Sequence, residues 1–466
     1  MAMVFVHYRA AVLAFTYDES WTFNAFVRSD WNSTFWNLDP VANNHILHSL
    51  LMKISWNLFG ISEYALRIPV LLAHLLYLIM SFKLLKRFFP KYAIWAFLAL
   101  NFQPYLLDYF VCARGYGLSI SFMMAAYYHL LCYWESQKTK SLILLGFFSV
   151  LMLWSNFTYL LLLISFLALA FGIIIYKNKS SINHFTALLF LPLAGLLMLY
   201  KPIKRLLERG EFFFGGLESF YSDTVLSLSK RMLYDFTDAP IFLSLFPLLV
   251  FIFLILAISG IIKNWKKNPK NKISPLFFHL SIFLGPIIGS ILLHHLFAKP
   301  YLIERTALFI LPLSIILIFG VLEYFKNEKG FLRGQRVFVI VFMVFTVFNF
   351  SQSINFNYLI DFKEHSDTRN ALLNLREIRS VDEQNYFVLG KSKYMNATIN
   401  FYRFKEELNF LPGSDLRFCN EKGPYPYYYL FAEDIYCIAD LNLELVKYFP
   451  ISDTYLFRNP DFINKN

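Results

Sequence analysis

Charge is what this chain has least of. Its 43 Lys and Arg and 32 Asp and Glu make up 16% of 466 residues, against 57% hydrophobic, where a globular domain carries about 25% charge. Water alone cannot cover so apolar a surface, so an ordinary soluble domain is excluded. Cysteine is scarce as well: four residues are too few for a disulfide framework. The 18 Gly and 18 Pro exclude a collagen-like or a Pro/Gly-rich disordered chain. Sequence repeats, low-complexity segments, zinc-ligand spacings and the G-x-S-x-G element of serine hydrolases are absent. Gly215-Gly216 lacks the Lys-Ser or Lys-Thr that would complete a phosphate-binding loop.

What fills the chain is aromatic and aliphatic bulk: 53 Phe, 19% aromatic residues in all, and a mean hydropathy of +0.47. Runs long enough to cross a bilayer, about 20 residues each, recur along the first three quarters. Hydropathy places about eleven spans, near residues 1–17, 69–86, 92–109, 117–134, 141–156, 158–176, 184–200, 241–262, 275–297, 306–325 and 337–351. The fold expected is a polytopic α-helical membrane protein, residues 1–351, followed by a small C-terminal α/β domain, residues 352–466. In that domain the strand-like runs are Asn385–Gly390 and Thr454–Arg458. The helical runs are Arg369–Val381, Thr398–Leu408 and Leu443–Phe449.

The net charge of +11 gives the orientation. With a cytoplasmic N-terminus, the inner loops hold 17 basic residues, from Lys83 to Arg336, against three acids, Glu135, Glu323 and Glu328. Outer loops balance to zero and the tail carries −3. This is the positive-inside pattern, and it removes the only support for nucleic-acid binding. The tail and the loops at 18–68 and 201–240 then lie outside the cytoplasm. The first span has no basic leader, which points to an upstream start codon, while Asp18-Glu19 follow it without the small residues of a signal-peptide cleavage site.

Asp18 and Glu19 stand where the first span emerges, ahead of Trp21, Phe23, Phe26, Trp31, Phe35 and Trp36, a composition suited to the headgroup zone. From Asn44 to Gly60, Ile46, Leu50, Ile54 and Leu58 recur every four residues, while His45, His48, Ser49 and Lys53 fall off that stripe. The pattern predicts an amphipathic interfacial helix. Basic and acidic stretches flank Phe212-Phe213-Phe214-Gly215-Gly216 in the loop 201–240, which reads as an interfacial loop or a mobile flap.

Several of these features resemble the GT-C glycosyltransferases. They are Asp18-Glu19 after the first span, His45 to Leu50 entering the amphipathic helix, Leu58-Phe59-Gly60, and the run Ser62-Glu63-Tyr64-Ala65-Leu66-Arg67-Ile68-Pro69. Gln103-Pro104, Ala113-Arg114-Gly115-Tyr116 and Pro300-Tyr301-Leu302-Ile303-Glu304-Arg305 continue the likeness. The branch resembled is that of the polyprenyl-phosphate-dependent mannosyltransferases and aminoarabinose transferases, family 39-type. The family's H-P-P-L is His45-Ile46-Leu47-His48 here, and Cys112 stands where many members have a second acid, with Asp108 one helical turn earlier.

The resemblance implies a membrane glycosyltransferase that takes a sugar from a polyprenyl phosphate. An attacking hydroxyl must lose its proton, so one carboxylate is needed as general base. The leaving phosphate is already a stabilised anion and needs no acid. Asp18 is the expected base and Glu19 the weaker candidate or a holder of the acceptor hydroxyl. Displacement on one face inverts the anomeric centre. Arg114 and Arg305, with Tyr116, Lys299 and Tyr301, are the expected phosphate ligands, since guanidinium offers fork donors; snorkelling to lipid headgroups is the other reading. His45, His48 and Asp108 are candidates for substrate or interfacial support. No cofactor is required, although carboxylates could hold Mg or Mn. Partners implied are the lipid-linked donor, membrane lipid, and an envelope glycan, lipid or protein acceptor. A bacterial inner membrane is expected. Cys419 and Cys437, in an oxidising space on this topology, are open to pairing. A multi-span transporter or lipid flippase is the main alternative, but the polar residues gather at the outer interface rather than mid-span.

Overall fold

The computed structural model describes residues 1–179, 181–211, 215–267, 273–328, 331–381, 388–411, 417–418 and 425–463. It is helical apart from one small sheet. Among the described residues, seven helices are long and apolar enough to cross a membrane: Glu63–Phe88, Phe157–Tyr176, Ile182–Glu208, Pro240–Lys267, Pro275–Phe297, Glu304–Tyr324 and Leu332–Ser353. All eleven segments marked by hydropathy are helical. The first is shortened to Ala2–Val12, and Thr139–Ser155 is also short. The segment 92–109 is broken into Ala93–Asn101 and Pro104–Val111. Proline causes the break: the residue before it is pushed out of the helical region, and Gln103 is extended at φ −97°, ψ 105°.

The chain divides into two compact units, one of Met1–Val6, Trp36–His48 and Pro69–Ile354, the other of His7–Phe35, Ser49–Ile68 and Asn355–Asn466. In the first, Glu304–Tyr324 lies at the centre, 89% buried, whereas Pro240–Lys267 is only 17% buried and turns Ile241, Leu245, Leu248 and Ile255 outward. Lipid is as apolar as these side chains, so helices in a bilayer associate through close packing and interhelical hydrogen bonds rather than apolar burial. Ser121 Oγ donates to Ala73 O at 2.7 Å and Ser119 Oγ to Met152 O at 3.0 Å. Tyr127 and His279 are hydrogen-bonded at 2.5 Å.

The second unit is built on a five-stranded mixed sheet, β1 (Leu389–Lys391), β2 (Arg417–Phe418), β3 (Tyr427–Phe431), β4 (Glu444–Phe449) and β5 (Thr454–Arg458), in the order β2-β1-β3-β5-β4. β1 runs parallel to β2 and β3; β5 is antiparallel to β3 and β4. Helices Thr368–Val381 and Asn396–Lys405 match two predicted runs within a few residues, and β5 matches the predicted strand. The run Leu443–Phe449 is corrected: it forms β4, not a helix. A bulge between Leu445 and Lys447 breaks its alternation, which hid the strand period, and pairing with β5 supplies the backbone hydrogen bonds a lone helix turn would need. Of the other predicted strand, Asn385–Gly390, residues 385–387 lie outside the described residues, and Leu389 and Gly390 belong to β1.

The N-terminal segment packs into this same unit. Phe15 stacks on Phe401 at 4.4 Å between ring centres, Phe23 meets Phe401 edge-on at 5.3 Å, and Phe15 N donates to Tyr402 Oη at 2.6 Å.

Candidate active site

Asp18 and Glu19 occupy the first turn of the short helix Tyr17–Thr22. Thr16 caps it: its hydroxyl accepts from Glu19 N at 3.3 Å, and Glu19 Oε2 accepts from Thr16 N at 2.8 Å, the reciprocal capping box. The two acids are nonetheless placed differently. Glu19 is fully buried and paired with Arg67, Nε to Oε1 at 2.9 Å and a terminal nitrogen to Oε2 at 2.8 Å. The remaining guanidinium donors go to Ala10 O, Leu13 O and Ala14 O at 3.1, 2.8 and 2.9 Å. All five N–H groups of Arg67 are therefore spent, and Phe15 lies 5.3 Å beneath the guanidinium. Asp18 is 8% exposed, and its chain neighbour Tyr17 sits among aromatic rings, stacking on His365 at 5.5 Å, meeting Trp21 at 5.8 Å and standing edge-on to Tyr394 at 6.3 Å. Burial, with the Asp18 charge adding to it, pushes the Tyr17 phenol up to about 12, so this phenol stays protonated at neutral pH.

The predicted interfacial helix is Ile46–Phe59. The second half of its apolar stripe points outward, Ile54 being 44% and Leu58 68% exposed, whereas Ile46 at its start is buried, as are His48, Ser49 and Lys53. Lys53 Nζ donates to Ser29 O and lies 5.1 Å over the Trp31 ring.

In the helical unit the polar side chains gather around Arg114, which is 2% exposed. Arg114 is the extended residue preceding helix Gly115–Ser136, and it donates to Asn43 O at 2.7 Å and to Asn43 Oδ1. Gly115 makes the approach: a Cβ there would stand 1.8 Å from Ser155 O and 2.6 Å from His45 Nδ1. Through that gap His45 Nδ1 meets Ser155 O at 2.7 Å. A carbonyl only accepts, so Nδ1 carries the proton and, in the neutral ring, Nε2 presents a lone pair. Burial first, then the Arg114 charge, holds His45 well below the usual imidazole range, with His48 and Arg305 acting in the same direction. His48 is pushed down to about 3 by burial and Arg114, and neither of its ring nitrogens has a hydrogen-bond partner. Tyr116 lies 5.0 Å from the His45 ring and 4.9 Å from Tyr109.

On the turn beyond Ser155, Asn156 Oδ1 accepts from Thr158, while Asn156 Nδ2 and the Tyr159 hydroxyl are buried without a partner. Sequence reasoning missed both, because lone Asn and Tyr residues carry no motif. The structure thus brings Arg114, Tyr116, His45, His48 and Arg305 together. It does not bring Lys299, which is exposed, or Tyr301, which stacks on His294 at 4.0 Å and pairs its backbone with Gly216. Asp108 is buried and accepts from Tyr234 Oη at 2.9 Å. In the loop 201–240, Arg231 pairs with Asp235 and Glu304; Phe212, Phe213 and Phe214 lie outside the described residues. So does the Cys419–Cys437 pairing. Among the described residues no three His, Cys, Asp or Glu side chains form a metal-ligating group.

The same unit contains an apolar cavity of about 630 Å³ lined by Phe220, Val225, Leu228, Leu245, Phe251 and Phe283, among others.

Comparison with known proteins fits this architecture. Residues 43–209 match the family model described as dolichyl-phosphate-mannose-protein mannosyltransferase. No curated protein sequence matches the chain. Two solved structures of ArnT from Cupriavidus metallidurans share the fold over 99% of this chain and 97% of theirs. The apo form aligns with a TM-score of 0.52 and 12% identity, the form bound to undecaprenyl phosphate with 0.53 and 11%. The chain thus shares the fold of ArnT, and its residues 43–209 are similar to the mannosyltransferase family model.

Proposed function

We propose that the protein transfers a sugar from a polyprenyl phosphate to a nucleophile on the extracytoplasmic face of a bacterial inner membrane, with inversion, and that Asp18 is the general base. The observation that carries this reading is the buried cluster around Arg114. A fixed, buried guanidinium, a second, half-buried one at Arg305, the neutral His48 imidazole with its one N–H, and the unpartnered Asn156 Nδ2 and Tyr159 hydroxyl offer donors to an anion. Such preorganised donors stabilise charge as it develops on a leaving group. The 630 Å³ apolar cavity in the same unit is suited to a prenyl chain, and ArnT, whose fold this chain shares, has been solved with undecaprenyl phosphate bound.

In the reaction the acceptor hydroxyl gives its proton to Asp18, its oxygen bonds to the anomeric carbon, and the bond from that carbon to the phosphate oxygen breaks. Polyprenyl phosphate leaves as the anion held by Arg114 and Arg305. Glu19, committed to Arg67 and Thr16, holds the helix that presents Asp18. The acceptor is an envelope glycan, lipid or protein, and residues 352–466 are assigned to the extracytoplasmic side by the charge of the loops. Catalysis by one carboxylate needs no metal.

The test is transfer by purified protein from radiolabelled undecaprenyl-phosphate sugars to an envelope extract, wild type beside Arg114→Ala. Transfer from one donor, with the donor KM raised at least tenfold in Arg114→Ala, is expected. Wild-type transfer from nucleotide sugars but from no lipid-linked sugar would overturn the reading.

A further inference from the structure

One buried imidazole has no part in the mechanism above. His365 ends the short 3-10 segment Ile360–His365 in the sheet-bearing unit and is 3% exposed. Its ring is clamped: Tyr17, the residue before Asp18, stacks on one face at 5.5 Å and 27°, and Phe431 at the end of β3 meets it edge-on at 5.6 Å. Nδ1 is buried with no hydrogen-bond partner, and Nε2 is 3.7 Å from Glu364 Oε1, too far for a hydrogen bond. A buried polar atom left without a partner costs about 1–3 kcal/mol. A ring held this tightly at such a cost calls for a use.

Around His365 stand Tyr17 and Asp18 from the capped helix, Tyr394 behind Tyr17, Glu364 from its own segment and Phe431, and the ring lines a small pocket with Thr16, Tyr358 and Phe362. Burial lowers the imidazole to about 4, and the Asp18 carboxylate is the charge that acts on it, pulling the other way. The ring is therefore neutral at working pH, with one N–H to donate. A neutral N–H beside a carboxylate favours its charged form, which is the form a general base must keep. Hydrogen bonds of this kind are often open in a substrate-free site and close when substrate binds.

Resting on the reading of Asp18 as base, we propose that His365 is a positioning residue for the Asp18 carboxylate, so that the C-terminal part of the chain, through the Tyr17–His365–Phe431 stack, completes the catalytic end of the molecule. His365 donates to Asp18 once the acceptor is bound, fixing which carboxylate lone pair faces the hydroxyl. The imidazole itself neither gains nor loses a proton in the cycle.

The test compares wild type with His365→Phe, which keeps the stacked ring and removes both nitrogens, and with His365→Asn, which returns a donor near the Nδ1 position. His365→Phe is expected to lower kcat about tenfold, to leave the donor KM unchanged, and to move the acidic limb of the kcat profile up by about one pH unit, because Asp18 loses a donor to its charged form. His365→Asn is expected to restore part of both. A His365→Phe protein that unfolds at the wild-type temperature and keeps kcat and the acidic limb would overturn the proposal. So would a loss of kcat with no shift of the limb and no rescue by Asn. Activity in Asp18→Asn, run in parallel, would instead remove the reading beneath it.

Discussion

At the scale of single residues the most consequential side chain is Arg67. Its five donors hold Glu19 and three carbonyls of the segment before the helix that carries Asp18. Removing one partner of a fully buried pair leaves an uncompensated charge and costs about 3–5 kcal/mol, whereas replacing both by apolar groups costs much less. Arg67→Met should therefore lower the thermal unfolding midpoint in detergent severely, and the double variant Arg67→Met with Glu19→Leu should recover most of the loss. Equal losses in both would show that the pair does not act as a unit. Asp18, Arg114 and the run containing Arg67 stand out in the sequence, because order and position along the chain mark them. The pairing of Arg67 with Glu19 does not, because it closes across 48 residues. The inward side of His48 was hidden for another reason: periodicity separates two faces of a helix, but with lipid on one side it does not say which face is buried.

At the scale of elements, the approach of helix Gly115–Ser136 to the Ser155 turn sets the cationic cluster. Gly115→Ala would place a methyl group against a backbone carbonyl and the His45 ring, and backbone cannot give way as a flexible side chain does. Overpacking of this kind costs about 1–3 kcal/mol. The expected result is a lower unfolding midpoint together with a donor KM raised several-fold, since His45 is displaced; unchanged KM would separate Gly115 from the site. Hydropathy marked the apolar helices, and Pro104 marked the break at Gln103 only as a family feature. β4 was misread because seven apolar-rich residues fit either period until a bulge and a partner strand decide.

At the scale of the whole molecule, buried neutral histidines make acid a threat to the fold. An unfolded histidine takes up a proton near pH 6.5, whereas folded His365 does so at about 4 and His48 at about 3. Between those values the unfolded chain holds more protons, so stability present above pH 6.5 is lost as pH falls toward 4. For His365 the loss is on the order of 3 kcal/mol. The unfolding midpoint should drop steeply from pH 6.5 to pH 4 and less steeply in His365→Phe; equal slopes would contradict this. Two-unit organisation was only partly legible: the composition shift after residue 351 is plain, but the joining of residues 7–35 and 49–68 to the C-terminal region depends on aromatic packing, such as Phe15 on Phe401, that no local pattern records. The central claim is that one carboxylate, Asp18, serves as base for transfer from a lipid phosphate. Its most direct test is single-turnover transfer by Asp18→Asn, which keeps shape and removes basicity. The account predicts at least a hundredfold slower transfer with donor binding and unfolding midpoint unchanged, and transfer at the wild-type rate would contradict it.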